Sequence, residues 1–207
     1  SLTWNNGTLD LDSTLTIEAN GTLSAPRGDL VLSGHFDNNG TVLADSFVHN
    51  NGRVVFEPAV TMNVYGGTSS RGTRFYKVQD SGSSKYVNWS EGETATIEKD
   101  WDVNATTRPY GVIYLGTSGD TASMTVDTGG SFQMFGGKLI GNSTIYPAVF
   151  SGDGIDYESD DNYEISNVDW SAFTWTTRAD TNKVITLEGD CKFGAVTVSS
   201  GDTLDLN

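Results

Sequence analysis

Apolar residues in the first third of the chain fall in pairs spaced two apart. Leu9 and Leu11, Leu15 and Ile17, Leu30 and Leu32, Val54 and Phe56, and Met62 and Val64 follow this rule. Leu23, Phe36, Val42 and Phe47 stand singly between the pairs. A spacing of two puts both side chains on one face of a strand, with polar neighbours on the other. Successive segments restart after about six to eight residues, which leaves room for a short strand and a tight turn. The turns share a unit: Asn6-Gly7-Thr8-Leu9, Asn20-Gly21-Thr22-Leu23, Asn39-Gly40-Thr41-Val42 and Asn51-Gly52-Arg53-Val54, with Ser200-Gly201-Asp202-Thr203-Leu204 near the end. Three such arms make a coil of about 20 residues, a period of the solenoid class. The pattern predicts an all-β chain wound as a parallel β-solenoid, its strands stacked at about 4.8 Å per coil. Stacked turns would set Asn above Asn, as in amide ladders.

The rival architecture is an antiparallel sandwich or meander, because Asn-Gly between apolar segments is also a strong hairpin signal. Two features favour the solenoid. Segments of three or four residues make weak hairpins, and the turns resemble one another more than sandwich loops do. No segment carries the three-and-four spacing of an amphipathic helix, so almost no helix is expected.

The chain divides by regularity while remaining one continuous domain. Residues 1–65 are regular coils, and 66–150 are looser coils with longer loops. Residues 151–162 form an acidic loop or insertion, and 163–207 resume the coils. Strands are expected at Thr73 to Gln79, Lys85 to Trp89, Thr94 to Val103, Gly111 to Leu115, Ala122 to Val126 and Lys138 to Ile140, with a polar turn over Asp80 to Ser84. Phe75-Tyr76-Lys77-Val78 is echoed by Tyr163-Glu164-Ile165-Ser166, which implies two modules of roughly 90 residues. Ser1 and Asn207 fall within repeat units. Because solenoids need capped ends, the sequence reads as a segment of a longer polypeptide. Bare coil ends also invite self-association into a filament or homo-oligomer.

Charge narrows the partners. The formal net charge is −15, from 27 acidic and 12 basic residues. Phosphate binding wants clustered Lys and Arg, so nucleic acid is not expected, nor is an anionic membrane surface. No apolar run is long enough to span a bilayer as a helix. Cys191 is alone and makes no internal disulfide.

The turn units, together with Asn50-Asn51-Gly52-Arg53-Val54-Val55-Phe56, Phe75-Tyr76-Lys77-Val78 and Val196-Thr197-Val198-Ser199-Ser200-Gly201-Asp202-Thr203-Leu204-Asp205-Leu206, resemble a known class. The chain resembles the β-helical, low-complexity structural proteins of marine and environmental phages, and is similar to bacterial β-helical surface adhesins. The commoner pattern in that class reads Phe-Tyr-Asn-Leu-Thr-Ile; Phe75-Tyr76-Lys77-Val78-Gln79 departs from it at the polar positions. The resemblance spans nearly the whole chain and implies a non-enzymatic stalk or fibre, extracellular or on a virion surface, supporting attachment. It brings no catalytic residues with it.

Three constellations offer chemistry. Asp153, Asp156, Glu158, Asp160 and Asp161 cluster within one loop and would suit calcium, which takes six to eight oxygen ligands. The spacing matches neither an EF-hand nor a calcium-binding nonapeptide, and charge runs are more often solvated. Trp170, Phe173 and Trp175 would offer flat faces for sugar rings of a cell-surface glycan; core packing is the competing role, since Trp is mostly buried. Asp100 and Asp102 flank Trp101 on one strand face, the arrangement a polysaccharide-cleaving enzyme would need if the carboxylates stood about 5 to 9 Å apart. Such an enzyme is the alternative function, as is a carbohydrate-binding module. No cofactor other than calcium is expected. Nucleophile elbows and zinc spacings do not occur.

Overall fold

The fold is known from a computed structural model. It describes residues 6–41, 43–68, 72–82, 85–117, 122–126, 131–132, 137–141, 148–152, 163–176, 182–198 and 200–207. In chain order the strands begin with β1 (Leu9–Leu11), β2 (Leu15–Ile17), β3 (Leu23–Ser24), β4 (Asp29–Leu32) and β5 (Phe36–Asn38). One helical turn, α1 (Leu43–Ser46), precedes β6 (Phe47–Val48), β7 (Arg53–Phe56), β8 (Met62–Tyr65), β9 (Thr73–Asp80) and β10 (Tyr86–Trp89). Then follow β11 (Thr94–Val103), β12 (Thr106–Pro109), β13 (Val112–Leu115), β14 (Ser123–Val126), β15 (Ser131–Phe132), β16 (Lys138–Gly141) and β17 (Ala148–Gly152). The last are β18 (Tyr163–Ser166), β19 (Val168–Thr176), β20 (Val184–Glu188), β21 (Lys192–Thr197) and β22 (Thr203–Leu206).

Strands pair in parallel with their counterparts one coil before and one coil after, which makes the chain a β-solenoid and rules out the sandwich. One side carries β1, β4, β7 and the second half of β9 and β11. The next carries β2, β5, β8, β10, β12 and β15. The third begins as β3 and β6 and continues as the first half of β9 and β11, then β13, β16, β18, β20 and β22. The long strands β9 and β11 turn a corner between the third side and the first.

The inward positions are those the spacing predicts: Leu30, Leu32, Phe36, Phe47, Val54, Phe56, Met62 and Val64 are all buried. Val42 lies outside the described residues. Aromatic rings meet edge to face through the coils: Phe36–Phe47 (5.5 Å), Phe36–Phe75 (5.3 Å), Phe56–Trp89 (5.7 Å) and Trp89–Trp101 (5.2 Å). Each such pair adds about 0.5–1.5 kcal/mol to the burial itself.

The coils scatter around the predicted period of about 20 residues: Thr94 pairs with Val112, 18 residues on, and Tyr86 with Thr106, 20 residues on, while others are longer. Leu9 pairs with Leu30, 21 residues on; Leu30 pairs with Val54 and Val54 with Val78, 24 residues on in each case. Corners account for the difference, because strand lengths are fixed by pairing and corner loops are not.

The Asn-Gly unit, moreover, serves two different corners. Asn20-Gly21 lies between the second and third sides, whereas Asn51-Gly52 lies between the third and the first. Asn20 and Asn51 take positive φ (65° and 62°), which Asn tolerates better than most residues. A Cβ on Gly52 would stand 2.1 Å from the Pro26 carbonyl oxygen, so only glycine lets the coils approach there. Among the described residues a stacked amide pair stands on strands: Asn88 Nδ2 donates to Asn63 Oδ1 at 3.2 Å. The echoed modules are out of phase in the stacking. The register runs Thr73, Ala95, Ile113, Leu139, Ile165, so Ile165 shares a column with Thr73 and not with Lys77. Among the described residues no helix is long and apolar enough to cross a membrane.

Candidate functional site

Alternation along β5 turns Phe36 and Asn38 inward and Asp37 outward. Asp37 is in register with Tyr65 of β8. Beyond Tyr65 the chain turns through Gly66 and Gly67, the latter at φ 88°. Glu93 enters the same corner just before β11. The result is an open cleft of about 450 Å³, lined by Asp37, Asn39, Thr41, Tyr65, Thr68 and Glu93. Burial raises the Glu93 carboxyl above its ordinary range, and the Asp37 charge raises it further, against a backbone hydrogen bond from Gly67. Glu93 Oε2 is shielded from solvent and has no hydrogen-bond partner among the described residues. The cleft thus sets one carboxylate beside a second carboxyl that holds its proton more tightly. That pair can accept hydrogen bonds from a hydroxyl-rich ligand, and one member can carry a proton.

A second polar cluster lies on the outside of β9 and β11. Their pairing slips so that Glu98 and Lys99 stand opposite Tyr76 alone, a β-bulge. The bulge brings Glu98 against Arg74 and, at 3.5 Å, His49 Nε2; His49 stacks on Tyr76 at 5.5 Å. Burial raises the Glu98 carboxyl, but His49 and Arg74 outweigh it and hold the group below its ordinary value. His49 Nδ1 accepts the Asn51 N–H at 3.0 Å, so both ring nitrogens are engaged. This cluster is a structural clamp.

Inside the coil is a third feature. Asp80 is fully buried, in the inward column of Leu11, Leu32, Phe56 and Val103. Trp101 Nε1 and Thr107 Oγ1 donate to its Oδ2 at 2.9 and 2.7 Å. Among the described residues Oδ1 has no hydrogen-bond partner; the Trp89 N–H faces the carboxyl but lies outside hydrogen-bond geometry. Burial pushes the group up to about 7, against the pull of those donors. The expected polar turn from Asp80 is therefore corrected: β9 runs through Asp80, because pairing to Phe56 and Val103 keeps the register going.

The residues singled out by sequence fare differently. Trp170 is fully buried and packs edge to face on Phe193 at 5.6 Å, which is the core role and offers no exposed face to a sugar. Phe173 and Trp175 belong to β19, and their side chains lie outside the described residues. So do Asp153, Asp156, Glu158, Asp160 and Asp161. Among the described residues no three metal-ligating side chains converge.

Asp100 and Asp102 do share an outer face, but Asp100 is bound to Lys77 at 2.7 Å and to Ser123 at 2.8 Å. Partial burial raises Asp100; the Lys77 and Ser123 hydrogen bonds outweigh that and hold it low, which unsuits it as a proton donor. Asp29 is held by Arg53 through two hydrogen bonds, at 3.0 and 2.8 Å. Cys191 is half-buried, and burial raises its thiol, so it is a poor nucleophile.

Neither Asp37 nor Glu93 was marked by the sequence, since nothing local joins them. Comparison with family models, curated proteins and solved structures returns no match for this chain.

Proposed function

We propose that this chain is a rigid, non-enzymatic stalk or fibre segment of an extracellular or virion-surface assembly that supports attachment. The observation that carries the reading is the continuous parallel pairing from β1 to β22, closed around one core. In such an array each coil is held by its neighbours, and length grows by adding coils. The resemblance to phage structural proteins and adhesins points the same way. The test is mechanical and chemical together. Pulled from its two ends, the chain is expected to unfold only at high force, and incubation with a polysaccharide panel is expected to release no new reducing ends. Unfolding at low force, or sugar release, overturns the reading.

A second reading, saccharide handling, is favoured by one observation: the Asp37–Glu93 cleft with Tyr65 at its wall. Hydroxyls donated to the two carboxyl groups and a ring laid on Tyr65 would hold a sugar there. A glycan array probed with the chain and with Glu93→Gln separates the two readings. Binding that the substitution abolishes supports the second; no binding leaves the cleft as a corner of the stalk.

A further inference from the structure

Asp80 has no evident use in a stalk. A leucine, phenylalanine or valine fills its column in neighbouring coils, and any of them would pack there without the cost of burying a carboxyl. The groups that face it come from every strand packed around it: Phe56 from β7, Trp89 from β10, Trp101 and Val103 from β11, and Thr107 from β12. None of these is titratable or charged. The nearby ion pair Lys77–Asp100 stands on the outer face of the same two strands. Among the described residues the ionised carboxyl is therefore stabilised only by neutral donors, two on Oδ2 and none in bonding geometry on Oδ1. A buried charge so placed is expensive, whereas the neutral acid keeps both bonds and loses the charge.

We propose that Asp80 is a proton-operated latch in the stalk: with its proton bound, the carboxyl holds β9, β11 and β12 together, and on releasing the proton to solvent it loosens that coil. A carboxyl that keeps its proton more tightly in the folded chain than in the unfolded one stabilises the fold at low pH. That stability is fully present below the unfolded value of about 4 and is lost as pH rises towards neutrality. The latch is closed in acid and open above neutral pH.

The experiment is denaturant unfolding of the 207-residue chain and of Asp80→Asn at pH 5 and pH 8. Asparagine keeps an acceptor for Trp101 and Thr107 and cannot ionise. The ratio of the two unfolding constants is expected to change on the order of a hundredfold between these pH values, the wild type losing ground as pH rises. A ratio that stays constant overturns the proposal. Should Asp80→Asn fail to fold, the Trp101 indole N–H resonance of the wild-type chain, followed from pH 4 to pH 9, decides alone. A midpoint near neutrality supports the latch, and a midpoint near pH 4 overturns it.

Discussion

Two buried polar sites lie in the same solenoid core and are built on opposite terms. At the corner between β5 and β9, Asn38 is 2 % exposed and every polar atom of its amide is engaged. Its Oδ1 accepts from the Gly40 N–H (3.1 Å) and the Ser46 hydroxyl (2.9 Å), and its Nδ2 donates to Thr73 Oγ1 (2.8 Å). Thr73 in turn donates to the Gly66 carbonyl (2.8 Å). Nearly two coils on, Asp80 carries a group of nearly the same shape, but it can ionise and one of its oxygens is unpartnered among the described residues. The first site is a neutral node that fixes a corner: α1, β5 and β9 meet in it. The second is a node whose strength depends on a proton. A buried polar group therefore need not mark function; what separates the two is whether its hydrogen bonds close without a charge.

The largest effect expected from breaking that contrast is at Asn38. Asn38→Ala strands the Gly40 N–H and takes one partner from each of the Ser46 and Thr73 hydroxyls in a dry corner. At about 1–3 kcal/mol for an orphaned buried group, partly relieved by relaxation, the loss should be about 2–4 kcal/mol. It should be the same at pH 5 and pH 8, since nothing in the node titrates; denaturant midpoints at the two values check it.

Thr107→Val should cost less, about 1–2 kcal/mol, and should cost it unevenly. The hydroxyl favours the ionised form of Asp80, which burial disfavours. Removing it drives the carboxyl further up, so the loss should be greater at pH 8 than at pH 5. Equal losses at both values would show that Asp80 does not change charge in that window.

The inward half of this core was legible in the sequence because strands repeat every two residues and apolar side chains show which face is dry. Leu30 and Leu32, Val54 and Phe56, and Met62 and Val64 all read correctly. Asp80 did not, because Asp-Ser-Gly-Ser-Ser has turn composition, and composition outweighed alternation. Aligning Arg53-Val54-Val55-Phe56 with Lys77-Val78-Gln79-Asp80 and Asp100-Trp101-Asp102-Val103 would have placed Asp80 inward, since each segment opens on a charge and buries its second and fourth residues. The cleft was illegible for a different reason. Asp37 and Glu93 come from separate coils, and only the corner after Tyr65 brings them together. Coil length was legible only as a mean of about 20, with single coils running from 18 to 26 residues: the Asn-Gly unit serves two corners, so counting from one unit to the next does not measure a turn of the solenoid.

The outer face supplies the mildest test of the contrast. Asp29, Arg53, Lys77 and Asp100 follow one another in a single outward column, and each charge finds its partner along the stack: Arg53 on Asp29, Lys77 on Asp100. Here the carboxylate is shifted in the sense opposite to Asp80. Partial burial raises it, and its partners Lys77 and Ser123 together bring it below the ordinary value. Its contribution is therefore present above about pH 4, the unfolded carboxylate value, and is lost as pH falls through the folded one. The pair is well exposed, at 43 % and 39 % of the two side chains, so solvent and salt screen it. Asp100→Asn should cost about 0.2–1 kcal/mol at pH 7 in low salt and less in 1 M salt. It should cost less at pH 3, below the unfolded carboxylate value, than at pH 7. Denaturant midpoints at pH 3 and pH 7 would therefore move in opposite senses for the two aspartates, Asp100→Asn losing stability at neutral pH where Asp80→Asn gains it. A like response would mean that burial does not set the charge on Asp80, and the comparison between dry and wet carboxylates on one strand pair would fall.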